Sequence, residues 1–94
     1  MPSEKKSLHL YIDGRVQGVG FRFFAQKTAS RLGLKGFVRN LPDGRVETYA
    51  EGNEASLNEF LQRMQEGPGA GYVSGVEQTW GQPSGNYNSF RISY

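Results

Sequence analysis

The segment Gly14-Arg15-Val16-Gln17-Gly18-Val19-Gly20-Phe21-Arg22 joins a predicted strand to a predicted helix. Before it, residues 8–13 alternate apolar and polar side chains, the period-two pattern of a strand with one buried face, and that strand is predicted to end at Gly14. After it, apolar and small residues recur at helical spacing from Phe21, and Gly33 stands where a left-handed cap would stop the helix. The segment therefore predicts a strand, a tight loop and a helix at the start of the fold.

The loop inside this segment is suited to hold a small anion. Gly18 and Gly20 allow backbone conformations that turn successive N–H groups inward, and a helix that begins at Phe21 adds its own unpaired N–H donors. Arg22 supplies a guanidinium that matches two oxygens of a phosphate or carboxylate at once. An oxygen-rich anion is the predicted ligand.

The remaining elements complete a familiar order. Residues 34–41 and 45–51 are predicted to be strands joined by the turn Pro42-Asp43-Gly44, and Asn53 is a candidate cap for a second helix that ends at Gly67. A strand is predicted over residues 72–80 and a short final strand over 90–92. The order βαββαβ plus a short final strand predicts an α+β, ferredoxin-like split βαβ fold, with two helices on one face of an antiparallel sheet.

This topology brings the end of the second strand to the anion loop. The first and second strands run parallel with the third between them, because the crossover through the first helix is right-handed. Their carboxyl ends then share one edge of the sheet, roughly 10 Å apart. Asn40 stands at that edge, and its amide could orient a nucleophilic water beside an anion held by Arg22.

Composition limits the classes of function. The 94 residues predict one domain over residues 8–94 after a flexible tail at 1–7, and the chain contains no cysteine for disulfides, thiolate metal ligands or nucleophilic catalysis. No apolar run approaches the roughly 20 residues of a membrane span, so we expect a cytoplasmic protein without membrane contact. The net charge of +2 is mixed along the chain, which is not typical of a nucleic-acid binder. Nothing demands a partner chain, so a monomer is expected.

Two motifs resemble the signature segments of the acylphosphatases. They are Gly14-Arg15-Val16-Gln17-Gly18-Val19-Gly20-Phe21-Arg22 and Gly36-Phe37-Val38-Arg39-Asn40, the second followed by Asp43-Gly44-Arg45-Val46-Glu47. The resemblance implies hydrolysis of acyl phosphates to a carboxylate and inorganic phosphate, without metal, cofactor or covalent intermediate. It implies Arg22 and Asn40 as the catalytic residues, with Asn40 positioning the water. The substrate-binding residues that it implies are Gln17, Gly18, Val19, Gly20, Phe21 and Arg22.

Other conspicuous side chains are given structural explanations. His9 has no metal-ligand partner in the sequence and is assigned no role, and Arg15 is interpreted as a solvated surface arginine. Asp43 and Glu47 are interpreted as turn and strand-surface residues. Aromatic residues could line a pocket for the acyl group, although most are expected to pack or lie on the sheet: Tyr49, Tyr72, Trp80, Tyr87 and Tyr94.

Two non-catalytic alternatives remain open at this level. RNA-recognition domains share the βαββαβ order, but their basic and aromatic run on the third strand is missing here. An accessory domain could use the same loop to bind carbamoyl phosphate or another anion without turnover.

Overall fold

The computed structural model describes residues 4–94 and contains a five-stranded sheet with two helices on one face. The strands are β1 (Lys5–Arg15), β2 (Lys35–Asn40), β3 (Val46–Asn53), β4 (Tyr72–Gly81) and β5 (Phe90–Ser93). The helices are α1 (Phe21–Arg31) and α2 (Glu54–Glu66). Neither helix is long and apolar enough to cross a membrane.

The strand order β4-β1-β3-β2-β5 confirms the ferredoxin-like prediction. Strand β3 lies between β1 and β2 and is antiparallel to both, so β1 and β2 run parallel and end at one edge, as expected. The sheet is mixed, however, because β5 pairs with β2 in parallel. The sequence analysis assigned no partner to this final strand, since the local pattern of a four-residue strand does not specify its partner.

The core lies between the sheet and the helices. Alternate residues of β1 point into it, and Leu8, Leu10 and Ile12 are completely buried. Helix α2 contributes Leu57, Phe60 and Met64, which are also fully buried. Burying side chains of this size stabilises the fold by about 1.5–3 kcal/mol each.

Strand β1 extends beyond both of its predicted ends. It begins at Lys5, which pairs with Asn53 of β3, so residues 5–7 of the expected flexible tail lie in the sheet. Residues 1–3 of that tail lie outside the described residues. At the other end, the strand passes through a register shift at Gly14 and continues to Arg15. Gly14 has φ +131°, and a Cβ there would lie 2.1 Å from the Tyr72 carbonyl oxygen, so the bulge requires glycine.

The helix ends largely follow the prediction. Helix α1 begins at Phe21, and Gly33 lies just beyond its end with φ +73°, as a left-handed cap requires. Asn53 is the N-cap residue of α2, but its side chain makes no capping hydrogen bond. The sequence therefore predicted the N-cap position correctly, but the capping hydrogen bond does not form.

Glu47 is not the surface residue that the sequence suggested. It is 5% exposed, on the face of the sheet opposite the helices. Its carboxylate accepts hydrogen bonds from Arg39 Nε at 2.5 Å and pairs with His9 Nε2 at 2.7 Å. Burial alone would raise the pKa of Glu47, but these two partners outweigh it and hold that pKa below its usual value. Glu47 therefore forms a structural ion pair with Arg39 and a hydrogen bond with His9. Asp43 is the turn residue that was expected, and it accepts a hydrogen bond from the Arg45 N–H.

A second buried carboxylate fastens the loop between β4 and β5 to the sheet. Glu51 is 6% exposed. It accepts hydrogen bonds from Ser84 Oγ at 2.6 Å and the Gly85 N–H at 3.2 Å, as well as from the Ser84 N–H and the Tyr49 hydroxyl. Burial by itself would raise the pKa of Glu51, but the hydrogen bonds outweigh it and lower that pKa. The ionised form of this carboxyl group is therefore the one that stabilises the fold most.

The Glu51→Gln variant is expected to be less stable than the wild type at pH 7 by about 1.5–3 kcal/mol, the worth of hydrogen bonds to a charged group. Because the folded pKa is lowered, this stabilisation is complete above the unfolded value of about 4.3 and is lost as the pH falls through the folded pKa. Urea unfolding at pH 7 and pH 3 measures the difference, which should shrink at pH 3. Glu59→Gln, at an exposed position of α2, is the matched control. A deficit that stays the same at both pH values would contradict the assignment.

Candidate active site

The loop between β1 and α1 is tied to the body of the protein at three points. Val16 is buried, and Val19, which follows Gly18 in the sequence, packs against the core. Gln17 Nε2 donates to the carbonyl oxygens of Leu41 at 2.8 Å and Arg45 at 2.9 Å. The loop is thereby fixed to the turn that follows β2.

The two glycines of the loop adopt the conformation that the sequence predicted. Gly18 has φ +75° and Gly20 has φ +78°, in the left-handed region that favours glycine. A Cβ at either position would meet no atom within 4 Å, so glycine is needed for its backbone angles rather than for space. Gly20 is the N-cap residue of α1.

This backbone leaves a row of N–H groups at the helix start. The first backbone hydrogen bond of α1 runs from the Phe24 N–H to the Gly20 carbonyl at 2.9 Å. Within residues 4–94, the N–H groups from Gln17 to Phe23 donate to no backbone carbonyl. Together with the positive end of the helix dipole, they favour an anion at this position.

A cavity of about 260 Å³ lies against this helix start. Four of the six residues predicted to bind substrate line it: Gly18, Gly20, Phe21 and Arg22. Gln17 and Val19 belong to the same loop but are not among the lining residues. The Gln17 side chain is occupied by its two bonds to the turn, so its contribution to the site is to position the loop.

Arg22 lies in the first turn of α1 and is partly exposed. Among the ion pairs formed within residues 4–94, none involves Arg22. Its guanidinium carbon lies 4.9 Å from the centre of the Tyr94 ring, a cation–π contact that leaves the N–H fork without a carboxylate partner. The guanidinium N–H groups of Arg22 can therefore donate hydrogen bonds to ligand oxygens.

Asn40 lines the same cavity from the end of β2. It follows the buried Val38 by two residues, so its side chain is on the helix face of the sheet. Its Oδ1 is, within residues 4–94, the one buried side-chain oxygen or nitrogen that has no hydrogen-bond partner. Leaving such an acceptor unpaired costs about 1–3 kcal/mol, a cost that a water or other donor in the cavity would remove.

No group of three His, Asp or Glu side chains suited to holding a metal ion occurs within the described chain.

Of the aromatic residues considered for the acyl side of the substrate, only Tyr94 lines the cavity. Tyr49 and Tyr87 instead pack together on the opposite face of the sheet, with ring centres 5.5 Å apart.

Sequence reasoning missed three lining residues: Val16, Phe23 and Ile92. Phe23 carried a usable signal, because it is an aromatic residue outside the apolar stripe of α1. Ile92 carried none, since its place beside the site depends on the parallel pairing of β5 with β2.

Comparison with known proteins decides the family. The family model described as acylphosphatase matches residues 8–92. The chain belongs to the acylphosphatase family. The acylphosphatase of Archaeoglobus fulgidus is 48% identical over 88 residues, which cover 94% of this chain and 98% of that one. The acylphosphatase of Thermus thermophilus is 53% identical over 74 residues, covering 79% and 84% of the two chains.

Solved structures agree with the sequence relatives. The crystal structure of the acylphosphatase from Bacillus subtilis superposes with a TM-score of 0.91 at 38% identity, covering 95% of this chain and 99% of that one. The protein is thus an enzyme that acts as an acylphosphatase on small acyl phosphates. This finding favours the phosphatase over the RNA-binding and accessory-domain alternatives.

Proposed function

We propose that this acylphosphatase hydrolyses its substrate by direct attack of water on the phosphorus atom, with Arg22 and Asn40 as the catalytic residues. The observation that carries the proposal is that one cavity is lined by the arginine fork, the glycines of the loop and an asparagine whose buried oxygen lacks a partner. Each of these groups suits a different part of the reaction.

The phosphoryl group is held by Arg22 and by the N–H groups of the loop from Gln17 to Phe21. The guanidinium donates two parallel hydrogen bonds to two phosphoryl oxygens, and the N–H groups and helix dipole carry the remaining charge. Because the loop is fixed by Val16, Val19 and the Gln17 side chain, these donors are in place before the substrate arrives. Preorganised donors of this kind are the main source of catalysis in phosphoryl transfer.

Asn40 positions the attacking water. Its Oδ1 accepts a hydrogen bond from the water, and rotation about χ2, which is broad for asparagine, brings the amide into line with the cavity. The side-chain NH2 donates to a phosphoryl oxygen. The two ends of one amide then hold the water and the phosphoryl group close to each other.

The bond changes need no further protein group. The water oxygen forms a bond to phosphorus while the bond from phosphorus to the bridging oxygen breaks, and its electron pair leaves with the carboxylate. A carboxylate has a pKa of about 4, so it leaves without a general acid. The proton of the water passes to a phosphoryl oxygen, which gives a carboxylate and inorganic phosphate.

Hydrolysis of benzoyl phosphate in H2¹⁸O tests this mechanism. We expect turnover that a metal chelator does not reduce, with the label in inorganic phosphate and none in benzoate beyond the uncatalysed background. Label in benzoate would show attack at the carbonyl carbon and overturn the proposal. Loss of activity with the chelator, restored by a divalent metal ion, would overturn its metal-free character.

A further inference from the structure

We propose that Phe23, together with Ile92 and Tyr94, forms a subsite for the acyl group and gives the enzyme a preference for aromatic over small acyl phosphates. The inference rests on the proposed function, since it takes the phosphoryl group to lie at Arg22. It concerns the part of the substrate that the signature motifs do not contact.

The first observation is the unusual exposure of Phe23. Within residues 4–94, three large hydrophobic side chains are exposed: Phe23 at 64%, Tyr72 at 66% and Tyr94 at 98%. Two of these three, Phe23 and Tyr94, line the cavity that contains Arg22 and Asn40. Large exposed apolar side chains that cluster at a concave site are typical of a ligand surface.

The second observation is the division of the cavity lining by chemistry. Gly18, Gly20, Arg22 and Asn40 supply donors and an acceptor, whereas Phe23, Ile92 and Tyr94 supply apolar or aromatic surface. Phe23 follows Arg22 directly in the first turn of α1, so the apolar surface begins beside the residue proposed to bind the phosphoryl group. Ile92 comes from the far end of the chain, through the pairing of β5 with β2.

The covalent structure of the substrate connects these two halves. In an acyl phosphate the acyl carbon is joined to phosphorus through a single oxygen, so an acyl group cannot lie far from the phosphoryl site. A phosphoryl group held at Arg22 therefore places the acyl group in or at the mouth of the same cavity. An aromatic ring there can contact the faces or edges of Phe23 and Tyr94, which a methyl group is too small to do.

The class of occupant follows from this surface. An aromatic acyl group gains contacts with two aromatic side chains that are otherwise exposed to water. An acetyl group leaves most of that surface hydrated. We therefore expect kcat/KM to be higher for benzoyl phosphate than for acetyl phosphate, with the preference supplied by Phe23.

The test compares kcat/KM for benzoyl and acetyl phosphate in the wild type, Phe23→Ala and Phe23→Leu. The benzoyl-to-acetyl ratio is expected to fall about tenfold in Phe23→Ala, the effect of losing about 1.4 kcal/mol of aromatic contact. Phe23→Leu keeps apolar surface without the ring, so its benzoyl-to-acetyl ratio should lie between those of the wild type and Phe23→Ala. Tyr72→Ala is the matched control, because Tyr72 is equally exposed but lies outside the cavity lining, and its ratio should equal that of the wild type.

Binding provides a second readout that does not depend on turnover. Calorimetry with benzylphosphonate and methylphosphonate, which resemble the substrates but do not hydrolyse, should show the same tenfold fall of the affinity ratio in Phe23→Ala. A ratio unchanged by Phe23→Ala in both assays overturns the subsite. A wild type that hydrolyses neither substrate overturns the proposed function instead, and the phosphonate ratio then decides the subsite alone.

Discussion

Replacing Arg22 with glutamine is expected to lower kcat/KM for benzoyl phosphate by at least 100- to 1000-fold, with the fold intact. Removal of one preorganised donor typically costs about that much, and Arg22 supplies two donors and a full charge. The inhibition constant of inorganic phosphate should rise as well, because in the proposed mechanism the same guanidinium binds the product. Steady-state kinetics with benzoyl phosphate and with phosphate as inhibitor measure both effects.

Two variants separate the role of Arg22 from general effects of charge. Arg31→Gln removes one positive charge from an exposed position in the last turn of the same helix and should leave the kinetics as they are. Arg22→Lys keeps the charge but loses the planar fork, so it should recover only part of the lost rate. Because Arg22 has no ion-pair partner within residues 4–94, its replacement should shift the unfolding midpoint little. Near-normal turnover in Arg22→Gln would remove this residue from the mechanism.

The Asn40→Ala variant is expected to lose about 100- to 1000-fold in kcat while its free energy of unfolding changes by less than about 1 kcal/mol. In the proposed mechanism the rate falls because the attacking water loses the group that positions it. Stability is retained because Oδ1 makes no hydrogen bond to another protein group within residues 4–94, so the substitution breaks no bond inside the protein. Kinetics and urea unfolding on the same preparation measure both quantities.

Substitution with aspartate tests the amide itself. Asn40→Asp keeps an acceptor for the water but removes the NH2 donor and places a negative charge beside the phosphoryl group, so we expect a loss at least as large as in Asn40→Ala. Asn58→Ala, at an exposed position of α2, is the control for replacing an asparagine. If Asn40→Ala unfolded with a large loss of stability, or hydrolysed benzoyl phosphate at the wild-type rate, the positioning role would be wrong.

Much of the site was accessible from the sequence because its signals are local. The positive φ angles at Gly18 and Gly20 and the start of α1 at Phe21 follow from the glycine spacing and the apolar periodicity. The shared edge of β1 and β2 followed from the handedness of the crossover, and the strand order confirms it. Arg22 and Asn40 were therefore expected at one site, and the structure brings them to one cavity.

The burial of charged groups was harder to predict from the sequence. Glu47 was interpreted as a strand-surface residue, yet it lies buried between Arg39 and His9. Its ion pair with Arg39 and its contact with His9, both from neighbouring strands, offset the cost of burying the carboxylate. Glu51 is buried because the loop between β4 and β5 folds over it and supplies donors. Neither environment can be inferred from the residues next to these two in the chain.

The sequence by itself determined the order of elements and the glycine loop, since each depends on spacing within a short segment. It also placed Arg22 and Asn40, the two candidate catalytic residues, at one edge of the sheet, through the handedness of the crossover. Only the tertiary structure decided that β5 joins β2 in parallel, that the Gln17 side chain fastens the loop to the turn after β2, and that Phe23 shares a cavity with Ile92. These contacts join residues far apart in the chain. Whether they form depends on how the whole core packs, because a local pattern fixes which face of an element is buried but not which distant side chain will meet it.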